Sequence, residues 1–77
     1  MDDFTLEALI AYVEEQGFRV NNLFHLDSGV WRANLIDPIL SKSESREEAR
    51  QAYDFANGDT PKEALFNALK NALEKRD

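Results

Sequence analysis

The sequence has no cysteine, a single histidine and only three glycines. Without cysteine there is no disulfide framework, no thiol nucleophile, no thiolate zinc site and no iron–sulfur ligation, and a reducing, cytoplasmic setting is the natural expectation. The lone histidine, His25, belongs to no H-x-x-x-H or H-E-x-x-H spacing, so no metal site is expected, and it reads as an outward strand residue. The glycines form neither a P-loop nor a G-x-G-x-x-G pattern, which leaves no phosphate cradle and implies no cofactor. No apolar run approaches the ~18 residues of a membrane helix. No basic segment followed by an apolar one suggests a secretory signal.

What is present fits one small α+β domain spanning 1–77. Hydrophobic residues make up 43% and charged residues 31%, a globular rather than a disordered balance. Fifteen acidic against nine basic side chains give a net charge of −6. A chain this short buries only ~60% of its unfolded surface, so carving out an enzyme pocket would thin an already small core. No catalytic residues are expected. Asp27-Ser28-Gly29 lacks the nucleophile-elbow pattern and reads as a hairpin turn. Glu44, Glu47 and Glu48 lack the ligand alternation of a calcium loop and read as a solvated charged face.

Leu6, Leu9, Ile10 and Val13 recur with helical spacing, Asp2, Asp3 and Thr5 supply carboxylates and a capping hydroxyl, and Gly17 is a stop. A helix over 5–16 follows. Two strands come next. Phe18, Val20, Phe24 and Leu26 share one parity, and Arg19, Asn21, Leu23 and His25 the other. Trp31, Ala33 and Leu35 then alternate with Arg32, Asn34 and Ile36. A four-residue loop, 27–30, places Leu26 opposite Trp31 and Phe24 opposite Ala33, gathering both apolar rows on one face with Trp31 in the core. A three-residue loop would put Trp31 and Phe24 on opposite faces, which a small core tolerates poorly. Pro38 ends the second strand.

The stretch 39–51 has two readings. Ser45 and Glu48 have capping-box spacing before a short helical turn at 47–51, or the segment is a mobile loop leading straight into the third strand. Tyr53 and Phe55 alternate with Asp54, giving a strand over 52–56. Thr60-Pro61-Lys62-Glu63 combines an N-cap, a proline at N1 and a glutamate at N3. Ala64, Leu65, Ala68, Leu69, Ala72 and Leu73 form the apolar stripe of a final helix, with Lys70, Lys75 and Arg76 towards its C-terminal end. The predicted order is α-β-β-β-α: a three-stranded antiparallel sheet with two helices packed on one face and the other face open.

That order resembles the double-stranded-RNA-binding-domain fold. The junction Phe55-Ala56-Asn57-Gly58-Asp59-Thr60-Pro61-Lys62-Glu63-Ala64-Leu65 resembles the strand-to-helix junction of HicB-type antitoxins. Together with Trp31-Arg32-Ala33, it is similar to small phage and prophage accessory proteins. The resemblance implies the fold over nearly the whole chain and a phage setting. RNA-binding members carry lysines at the start of the last helix, where this chain has one lysine beside Glu63 and Asp59. With a charge of −6, counterion release opposes polyanion binding, and direct nucleic-acid binding is disfavoured. HicB-type proteins usually begin with a strand, whereas this chain opens with a helix.

The functional expectation is a non-enzymatic protein-interaction module that modulates or inhibits a host or defence protein. A HicB-like regulator or a nucleic-acid-binding domain is the alternative. On the expected register the open face carries Arg19, Asn21, Leu23, His25, Arg32, Asn34 and Ile36, a locally basic patch with two aliphatics. Such a patch suits a protein partner or a homodimer contact. The acidic surface has a further reading as a nucleic-acid mimic, weakened by interleaved Arg46, Arg50 and Lys62.

Overall fold

Thr5 ends its extended backbone by accepting the Ala8 amide at 3.0 Å, and this cap starts α1, Leu6–Glu15. Gly17, at φ 90°, turns the chain out of the helix as expected. The computed structural model describes residues 5–76, the side chain of Arg76 excepted. The expectations for Asp2, Asp3 and the Arg76 charge lie outside the described atoms. β1 (Arg19–His25), β2 (Trp31–Ile36), α2 (Arg46–Arg50), β3 (Tyr53–Gly58) and α3 (Pro61–Arg76) follow. The strands form one antiparallel sheet in the order β1-β2-β3. The chain is an α+β fold, with α1 and α3 packed on the sheet.

The core joins the helices to one face of that sheet. Leu9, Val13, Phe18, Ala33, Leu35, Ala64, Leu65, Ala68, Leu69 and Ala72 are buried in one cluster. The predicted stripe of α3 is its largest part. Alanine at every fourth position brings the helix backbone close to the sheet, and the leucines between them fill the layer. Thr60 accepts the Glu63 amide at 3.1 Å, so the expected N-cap forms.

Between β2 and β3 the helical reading of 39–51 is the one observed. Leu40–Lys42 is a single 3₁₀ turn, and Ser45 caps α2 by accepting the Glu48 amide at 3.4 Å. The Glu48 carboxylate accepts instead from the Ser43 hydroxyl at 2.6 Å. Asp37 begins the segment, its carboxylate accepting the amides of Ile39 and Leu40 at 2.9 and 3.3 Å.

The hairpin differs from expectation. His25, not Leu26, lies opposite Trp31, and Leu23, not Phe24, lies opposite Ala33. The Leu26 amide donates to the Val30 carbonyl at 2.8 Å and the Gly29 amide to the Leu26 carbonyl at 2.9 Å, so the loop is the three residues Asp27-Ser28-Gly29. Gly29 sits at φ 93°, the left-handed residue that follows a tight turn in three-residue hairpin loops. The strict alternation that argued for a longer loop breaks at a bulge: Val20 pairs with Leu35 but Asn22 with Asn34, leaving Asn21 as the extra residue. The bulge switches parity, so Val20 and Leu23 both pack against the core. Phe24 is then the residue turned out, 41% exposed. Trp31 keeps its expected place against the core.

Candidate interaction surface

The register places nine side chains on the face of the sheet that the helices leave bare, in three rows of three. Phe24, Arg32 and Asn57 form the first row, Asn22, Asn34 and Phe55 the second, and Arg19, Ile36 and Tyr53 the third. Each row runs from β1 through β2 to β3. Alternation along a strand puts the intervening residues, Leu23, Ala33, Leu35 and Ala56 among them, against the helices.

The three aromatics of this grid stand on its two outer strands, and the middle strand carries Arg32, Asn34 and Ile36. Phe55 is 58% exposed and Tyr53 40%, beside Phe24 on the other edge strand. Arg32 lies between the flanks, its Nε–H donating to the side-chain oxygen of Asn57, Oδ1, at 3.0 Å. That bond ties the guanidinium to β3 through Nε and leaves its terminal N–H groups unused among the described residues. No carboxylate is among the nine, so the face carries two positive charges on a chain of net charge −6.

Asn34 lies at the centre. It is only 5% exposed although it faces away from the core, because its neighbours in the grid stand taller than it does. Its side-chain carbonyl oxygen is buried without a hydrogen-bond partner. An acceptor removed from water with nothing donated to it costs roughly 1–3 kcal/mol, and natural folds contain few such groups.

The edge of the sheet beside this face is closed. Asn67 and Asn71, one helical turn apart on α3, donate their amides to the carbonyls of Asn57 and Phe55 at 3.0 and 3.5 Å. Lys75, a turn further on, donates to the Gln51 carbonyl at 2.7 Å and pairs with the buried Asp54 carboxylate at 3.3 Å. A four-residue step on a helix is about 6 Å and a two-residue step on a strand about 6.7 Å, so the two elements match along the edge. Carbonyls that would otherwise recruit another strand are thereby occupied.

Of the expected patch, Arg19, Arg32, Asn34 and Ile36 share the bare face. Asn21 is the bulge residue beside it. Leu23 and His25 are on the other side: Leu23 packs against the core, and the His25 ring stacks on Trp31 with centroids 4.7 Å apart. The His25 Nε2 atom also lies 3.1 Å from the Gly29 carbonyl oxygen. The expected grouping fails at these two positions because the three-residue loop and the bulge reverse their parity. Asn22, Phe24, Tyr53, Phe55 and Asn57 complete the face and were missed. For Asn22 and Phe24 the signal is Asp-Ser-Gly itself, since glycine in the third position fits the three-residue loop. Among the described residues no group of three histidine or acidic side chains is placed to hold a metal ion, and no helix is long and apolar enough to cross a membrane. Comparison with known families, with characterised proteins and with solved structures finds no match to this chain.

Proposed function

We propose that this protein is a non-enzymatic protein-interaction module that docks through the bare face of its sheet and modulates or inhibits the protein it binds. One observation carries the reading: three exposed aromatics and two arginines share a face without a carboxylate, on an otherwise acidic chain. Aromatic residues and arginine are enriched at the centres of protein interfaces, where acidic residues are depleted. The acidic remainder of the surface keeps such a protein soluble. The resemblance of its strand-to-helix junction to those of HicB-type and phage accessory proteins supports a cytoplasmic phage or prophage setting, with a host or defence protein as partner.

The test is affinity capture from bacterial lysate with the wild type, an Arg32→Glu/Phe55→Glu variant and a Tyr12→Glu control on α1. The face variant is expected to lose what the wild type and the control both retain. Equal recovery by all three rejects the reading. The same aromatics also suit stacked bases, so a competing reading is a single-stranded polynucleotide. A salt-dependent titration with short single strands separates the two, and tight binding with a steep salt slope favours the polynucleotide.

A further inference from the structure

We draw no further inference here: the strongest candidate, the bare face of the sheet with Phe24, Phe55 and Tyr53 on its outer strands beside Arg32, belongs to the docking surface already proposed, and nothing in the structure shows what covers it.

Discussion

The two faces of this sheet are built from the same three strands and differ in almost every respect. Towards the helices, Leu23, Ala33 and Ala56 form the middle row, and Val20, Leu35 and Asp54 the next. Small residues lie where the alanine stripe of α3 comes close, and the one charge, Asp54, is paired with Lys75. On the bare side the bulk is at the flanks, as Phe24, Phe55 and Tyr53, and the centre is recessed and polar. A helix laid along β2 requires the first arrangement. The second sets three aromatics on the outer strands beside an acceptor that no donor among the described residues reaches. The proposed docking role rests on that contrast.

Adjacent residues of β2 give the sharpest way to break that comparison. Leu35 is fully buried towards the helices and Ile36 half-buried towards the bare side. Leu35→Ala is expected to cost about 2–5 kcal/mol in chemical denaturation, the range for a buried leucine that leaves a cavity. Ile36→Ala is expected to cost about 1 kcal/mol, since its side chain keeps partial contact with water and its loss leaves no enclosed cavity. Comparable losses at both positions would mean that the bare side carries a share of the folding core, and the division between the faces would dissolve.

How much of this was legible without coordinates follows from where the determining interactions lie. The caps of α1 and α3, the alanine stripe, the strand order and the core position of Trp31 all rest on local pattern, and the sequence displays them. The assignment of residues to faces does not, because one bulge at Asn21 and one fewer loop residue reverse parity over half of β1. Both devices are read from hydrogen bonds between strands, whereas alternation alone favoured Phe24 over Leu23 as the core residue. The candidate surface was therefore legible on β2, where Arg32, Asn34 and Ile36 keep their predicted side. It was not legible on β1 at Leu23 and His25, nor on β3. There alternation separates Tyr53 and Phe55 from Asp54 without saying which side meets the helices, because the burial of Asp54 depends on a lysine 21 residues further along the chain.

Asn34→Leu sharpens the comparison in the opposite direction, because here a substitution is expected to stabilise. The leucine has nearly the same size and removes a buried acceptor without a partner. The change should raise the unfolding free energy by about 1 kcal/mol. A loss of stability instead would show that burial of this amide is not a cost to the fold.

The smallest effect is expected at the edge rather than at either face. Asn67→Ala removes one amide donor from the Asn57 carbonyl, which water can then reach, so the loss should be only about 0.5–1 kcal/mol in denaturation. Its value lies in what it exposes. Combined with Asn71→Ala, it frees two carbonyls along β3, the requirement for pairing with another strand. Any oligomer formed by the double variant and absent from the wild type would arise at this edge, and would show the helix side chains acting as a guard. A double variant that stays monomeric would show that these two amides are not what keeps the edge of β3 from pairing.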